Sequence, residues 1–176
     1  IYTLQNCFTH KDFLVHDRLV GTLFSPLHFV ISALLLALII FLAVQLRHTD
    51  HKRVRNLMAV LWATMAVWEV VKITWETVCG NEIAFEWGGV LPLYPCSIFI
   101  YAMPFALWGN DYMKKAACGY LCTLGLIGAS INFFYPITVL PNYSIISFAG
   151  AHTMLFHGVM MFCFILMQTT GYHRYT

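Results

Sequence analysis

Residues 28–46 read HFVISALLLALIIFLAVQL, an apolar run in which the opening histidine is the sole side chain that titrates. A helix that crosses a bilayer needs about 20 mainly apolar residues, and this run supplies them. The whole chain of 176 residues is 60% hydrophobic and 10% charged, whereas a soluble domain carries about 25% charged residues. We therefore predict an all-α integral membrane protein that folds as a polytopic helical bundle.

Five stretches of the chain are long and apolar enough to span a membrane. They are residues 20–46, 56–78, 90–108, 116–137 and 145–169. The sequence thus predicts five transmembrane helices within these 176 residues. The expected organisation is an external N-terminal segment at 1–19, a transmembrane helical bundle at 20–170 and a cytoplasmic tail at 171–176.

The basic residues of the connecting segments fall at one end of this predicted bundle. They are Arg47, Lys52, Arg53, Arg55, Lys114, Lys115 and Arg174. The connections at the other end carry acidic side chains or no charge. Because basic loops remain in the cytoplasm, we predict a multi-pass protein of the cell membrane. Its N-terminus is extracytoplasmic, and the C-terminus of the visible chain is cytoplasmic.

Several classes of site are disfavoured by the composition. The net charge of +2 is small and scattered, which argues against binding to nucleic acid. The chain has no Gly-rich phosphate loop, so we expect no cofactor. Cys7, His10 and His16 fit no tight ligand spacing, and we predict a cap over the bundle instead of a metal site. A disulfide between Cys7 and Cys79 stays open, because connectivity cannot be read from sequence.

Residues 68–76 read WEVVKITWE and place three charged residues inside the second predicted span. Glu69, Lys72 and Glu76 fall within an arc of about 60° on one face of a helix. Each charge inside a membrane costs at least about 2.5 kcal/mol when it is unpaired. The three side chains must therefore neutralise one another in the interior or face a wet cavity. A triad that merely locks helices together is the structural alternative.

The predicted topology also brings the other buried polar side chains to the same half of the bilayer. Cys96, which follows a proline in the third span, lies in the outer half together with His28, Asn132, His152 and His157. We predict a polar cavity that opens towards the outer surface. A thiol beside a lysine or an imidazole can ionise and act as a nucleophile, although most buried free cysteines are packing residues.

Blocks in the sequence resemble the bacterial YwaF family of integral membrane proteins, which is related to transmembrane protein 164, a eukaryotic membrane acyltransferase. The blocks are LFSPLH at 23–28, WEVVKITWE at 68–76, LPLYPCSIFIYAMPFAL at 91–107, GLIGASINFFYP at 125–136 and HTMLFHG at 152–158. Family members usually carry at least one more span. The resemblance therefore implies that the visible chain is part of a longer protein.

The resemblance implies a membrane enzyme whose cysteine accepts an acyl group and passes it to a lysophospholipid. By position, Cys96 takes the role of nucleophile, and His157, slightly preferred over His152, takes the role of base. The expected partners are membrane lipids, namely a lysophospholipid and an acyl donor. Asn132 or Lys72 would stabilise the oxyanion.

Other functions remain open at this stage. A substrate-binding membrane subunit or a small transporter would use Glu69, Lys72 and Glu76 to bind a ligand or a coupling proton, with Cys96 in the wall. A structural subunit of a larger assembly is a third hypothesis. The sequence also leaves open a membrane-protein partner or a homo-oligomer.

Overall fold

A computed structural model of the chain describes residues 7–10, 22–79 and 96–173. These residues form helices and contain no strand. The five helices are α1 (Pro26–Leu46), α2 (His51–Cys79), α3 (Ile98–Trp108), α4 (Asp111–Phe134) and α5 (Phe148–Thr169). Four of them, α1, α2, α4 and α5, are long and apolar enough to cross a membrane, and α3 is a shorter apolar helix. The predicted fold class, an all-α membrane protein, is confirmed.

Helix α5 lies at the centre of the bundle. It contacts α1, α2 and α4, and its Phe156 and Phe164 rings pack against Phe99 of α3. Side chains on every face of α5 are buried, as expected for a helix that is apolar all round. Two residues of α5 can therefore both face the protein interior although they lie on different sides of the helix.

Side-chain caps set the starts of four helices. Ser25, Asn110 and Ser147 accept hydrogen bonds from backbone N–H groups in the first turns of α1, α4 and α5. Asp50 does the same for α2 through Lys52 N and Arg53 N. A capping oxygen satisfies a free N–H group and so sets where a helix begins. The caps therefore explain why α1, α2, α4 and α5 start at 26, 51, 111 and 148, whereas the predicted spans start at 20, 56, 116 and 145.

Helix α4 contains a π-helical turn at Leu121–Gly125. At this turn Gln168 of α5 donates a hydrogen bond of 3.3 Å to the Cys122 carbonyl oxygen. Such insertions widen an α-helix by one residue and redirect its side chains. The helix ends at Phe134, earlier than the predicted 137, because Tyr135 precedes a proline and a residue in that position avoids helical geometry.

The two ends of the bundle are named after the predicted topology: α1 and α5 begin and α2 and α4 finish at the end called outer. There, Trp75 of α2 donates to the Phe8 carbonyl oxygen at 2.9 Å, and Phe148 N donates to Cys7 O at 2.9 Å. Residues 7–10 thus contact the outer part of α2 and the first residue of α5. Cys7 and Cys79 are both free thiols, so the disulfide that the sequence left open is not formed.

The opposite, inner end carries the C-terminal residues. The Tyr172 hydroxyl donates to the Ala106 carbonyl oxygen at 3.2 Å, and Lys114 lies 4.4 Å from the centre of the Tyr172 ring. Several sequence predictions fall outside the described residues. They concern the N-terminal segment at 1–6 and 11–21, the start of the third span at 90–95 and the end of the tail at 174–176.

Candidate functional site

Three helices bring the predicted reactive residues to similar depths. The Trp62 indole of α2 donates to the Ile100 carbonyl oxygen of α3 at 2.8 Å, which fixes the relative height of these helices. Glu69 lies two turns outward from Trp62, about 10 Å along the axis. Cys96 lies in the turn that precedes α3, four residues before Ile100, so both residues lie outward of this hydrogen bond.

Glu69 and His152 form the centre of the candidate site. The Nε2 atom of His152 lies 3.0 Å from Glu69 Oε2 and links α5 to α2. Both residues are buried, with 7% of Glu69 and 4% of His152 exposed. A carboxylate inside a protein needs a partner because its desolvation is costly. The imidazole supplies this partner.

The other two members of the charged triad extend from this centre towards the surface. Lys72 Nζ lies 3.0 Å from Glu76 Oε2 and 4.0 Å from Glu69 Oε1. The side chains of Lys72 and Glu76 are 24% and 40% exposed. The lysine is thus closer to the outer carboxylate, and Glu69 is shared between the lysine and the imidazole.

His157, the other predicted imidazole, lies one turn inward on α5 and is 8% exposed. Its Nδ1 lies 2.7 Å from the Thr153 carbonyl oxygen. Its charge, when present, interacts with those of His152 and Glu69. Both imidazoles therefore belong to one cluster, because α5 is surrounded on all sides. The two residues lie about 140° apart around α5 and so face different sides of the helix.

Cys96 occupies the turn before α3 and is partly buried against the hydrophobic core. The Glu69 carboxylate and the Tyr120 hydroxyl are near enough to interact electrostatically with the thiol. Among the contacts of the described residues, none joins Cys96 to either imidazole. The structure does not direct Cys96 away from the bundle into lipid.

Two predicted site residues lie elsewhere. His28 sits in the first turn of α1, where its Nδ1 accepts from Phe24 N at 3.2 Å and its ring faces the Phe133 backbone. Asn132 uses its amide within α4, donating to Gly128 O at 3.1 Å. Among the contacts of the described residues, neither joins the Glu69 cluster. The sequence grouped His28 and Asn132 with this cluster only because their predicted depths in the membrane are similar.

Two neighbours of the site were not singled out as functional from the sequence. The Trp68 ring packs edge-on against the His152 ring, with centroids 5.3 Å apart, and Tyr120 lies near Cys96. Trp68 directly precedes Glu69 in the chain, and this adjacency could have indicated that the tryptophan lies at the site. Nothing in the sequence indicated Tyr120, because its position depends on how α4 packs against α3.

A lateral groove lies inward of the cluster, between α1 and α2 and above α5. Its volume is about 300 Å³. The lining is entirely apolar: Leu35, Leu38, Ile39, Leu42 and Leu46 of α1, Leu57 and Leu61 of α2, and Met154, Leu155, Gly158, Val159 and Phe162 of α5. Gly158 directly follows His157, so one helix carries both the groove floor and the two imidazoles.

The fold and the site define a multi-pass helical membrane protein with a buried cluster of ionisable side chains at one end. The chain belongs to the TMEM164 family, whose family model matches residues 23–175. This match confirms the predicted relationship to the transmembrane protein 164 family; it does not distinguish the YwaF branch within it. Comparisons with curated proteins and with solved structures found no match.

Proposed function

We propose that this protein is a membrane acyltransferase that carries the acyl group on Cys96, and that it belongs to the YwaF-like bacterial branch of its family. The main support is a buried carboxylate–imidazole pair with a thiol in electrostatic range of the carboxylate. Glu69 contacts His152 at 3.0 Å, and the Glu69 charge acts on the Cys96 thiol. In the proposed reaction the imidazole would meet the thiol and activate sulfur as a nucleophile.

The proposed reaction has two balanced steps. In the first, the imidazole takes the thiol proton and sulfur attacks the carbonyl carbon of a lipid ester. The C–S bond forms, the C–O bond breaks, and the leaving lysolipid oxygen takes the proton from the imidazolium. In the second, a lysophospholipid hydroxyl gives its proton to the imidazole and attacks the thioester. A new C–O bond forms, the C–S bond breaks, and the proton returns to sulfur.

The apolar groove supports a lipid substrate. It offers no polar lining atom, so it suits an acyl chain better than a polar solute. The partly exposed Lys72 and Glu76 lie towards the outer end, where a lipid head group would be placed. We propose that the chain resides in the cell membrane with the outer end extracytoplasmic, since the basic connection between α1 and α2 lies at the inner end.

The test is detection of a thioester on Cys96. Purified protein is incubated in bilayer nanodiscs with a phospholipid that carries an alkyne-tagged acyl chain, and the label is assayed before and after neutral hydroxylamine. We expect a hydroxylamine-sensitive label on the wild type and on Cys118→Ala, and no such label on Cys96→Ala. Cys118 is a suitable control because it is a buried cysteine in α4. Equal labelling of Cys96→Ala and wild type would refute the proposal.

A second candidate function has one observation in its favour. Glu69, Lys72 and Glu76 lead from a buried position to a partly exposed one, as a binding site for a small ligand or a proton does in transporters. In that function, uptake into vesicles would be lost in Lys72→Met and kept in Cys96→Ser. Loss of acyl transfer in Cys96→Ser without any measurable uptake in wild type would exclude it.

A further inference from the structure

We propose that Glu69 is a positioning residue for His152, and that His152, held in this way, is the base that activates Cys96. This inference rests on the proposed function and adds a third member to its site. The carboxylate would hold the Nε2–H of the ring, which leaves Nδ1 to take and return the proton. The resulting order is Glu69, His152, Cys96.

The surroundings of His152 restrict its ring in several directions. Glu69 Oε2 lies 3.0 Å from Nε2, the Trp68 ring packs edge-on at 5.3 Å, and the Phe156 ring stacks at 5.5 Å with an interplanar angle of 23°. A base whose ring is held by packing and by a carboxylate at ion-pair distance keeps one orientation. This is the role that the carboxylate has in a catalytic triad.

The division of charges in the cluster explains why Glu69 serves the imidazole. Lys72 lies 3.0 Å from Glu76 but 4.0 Å from Glu69, so the lysine is paired first with the outer acid. Glu69, Lys72 and Glu76 together carry one net negative charge. That charge lies against the ring that becomes an imidazolium when it accepts the thiol proton, and so stabilises the ion.

His157 is less suited to the same role. Its Nδ1 contacts its own helix at Thr153 O, and Glu69 reaches it through electrostatic interaction without a contact like the one to His152. The ionisable side chains around Glu69 and Cys96 are Lys72 from α2, His152 and His157 from α5 and Tyr120 from α4. Any pH profile of the site reflects all of them together.

The experiment compares Glu69→Gln with Asp50→Asn. Asp50 lies before α2 at the inner end and is 58% exposed at its side chain, and asparagine caps a helix as well as aspartate. This control removes one negative charge from the chain without touching the site. Two rates are measured between pH 5.5 and pH 9.5, namely thioester formation and alkylation of Cys96 by iodoacetamide, in a background where the other five cysteines are alanine.

We expect Glu69→Gln to slow thioester formation about 100-fold or more at neutral pH. Its alkylation profile is expected to differ from that of wild type, because the imidazole proposed to activate the thiol is no longer held by Glu69. Asp50→Asn is expected to match wild type in both rates. His152→Asn should show the same loss as Glu69→Gln, and the double variant should lose no more than either single variant, since both residues act through one ring.

The two proposals fail in distinguishable ways. Absence of a thioester in wild type would overturn the acyl transfer, while the alkylation profile would still test the link between Glu69 and Cys96. A wild-type profile in Glu69→Gln, or additive losses in the double variant, would overturn the positioning role alone. If Glu69→Gln does not accumulate, Glu69→Asp replaces it. An intermediate profile then supports the role, and a wild-type profile refutes it.

Discussion

Trp62 of α2 supplies the hydrogen bond that Pro104 removes from α3. A proline inside a helix lacks the N–H group that would bond to the carbonyl four residues earlier, which in α3 is the carbonyl of Ile100. The Trp62 indole donates to this oxygen at 2.8 Å. The bond satisfies a carbonyl in an environment without water and also fixes the height of α3, and hence of Cys96, against α2.

We therefore predict that Trp62→Phe destabilises the protein by about 1–3 kcal/mol, because it leaves the Ile100 carbonyl unpaired. Pro104→Ala restores the backbone donor. The double variant Trp62→Phe/Pro104→Ala should recover part of the lost stability, measured as the midpoint of thermal unfolding in detergent. Strictly additive effects of the two substitutions would show that the indole bond does not replace the missing helical one.

Gly150 in the first turn of α5 allows the preceding loop to pass against the helix. A Cβ atom added there would overlap the Ser144 carbonyl oxygen and lie 2.8 Å from Ile145 Cα. Both are backbone atoms that cannot move cheaply. We predict that Gly150→Ala lowers stability by about 1–3 kcal/mol, measured by thermal unfolding.

Gly119 in α4 provides the matched control for Gly150. A Cβ atom added at Gly119 meets nothing within 4 Å, so Gly119→Ala should be neutral or should stabilise α4 by about 0.5–1 kcal/mol. The comparison separates steric overlap from a general effect of alanine. Similar unfolding midpoints for the two variants would contradict the role assigned to Gly150.

The sequence predicted the membrane class better than it predicted which polar side chains contact one another. Apolar runs such as 28–46 determine helices by length and composition alone. The pairing of Glu69 with His152 depends on how α2 faces α5, and no local pattern encodes that rotation. His28 and Asn132 share the predicted depth of the site but face other neighbours, because depth along a helix leaves its facing direction undetermined.

The two imidazoles should respond differently to substitution. We predict that His152→Asn abolishes the pH-dependent activation of Cys96, because its ring contacts Glu69. His157→Asn should mainly lower the unfolding midpoint, since it loses the contact to the Thr153 carbonyl oxygen. The measurement is iodoacetamide alkylation of Cys96 against pH, with thermal unfolding in parallel. The reverse pattern would restore His157 as the base that the family resemblance favoured.

The lateral groove leads to a prediction about the length of the acyl chain that the protein transfers. Leu42 lines the groove and is 37% exposed, so Leu42→Trp should fill part of its volume of about 300 Å³. An acyl chain that extends along α1 would then meet the indole before its end. We expect Leu42→Trp to transfer short acyl chains as wild type does and to lose transfer of long ones. Competition between tagged donors of different length, in one reaction, measures the ratio.

Leu34→Trp is the control for the groove. Leu34 lies two turns earlier on α1, is 66% exposed and does not line the groove. The same increase in side-chain volume at that position should leave the ratio of short to long chains unchanged, because the indole faces the surrounding lipid. If both tryptophans shift the ratio equally, the effect belongs to the lipid-facing surface of α1. If neither shifts it, the acyl chain binds outside the groove.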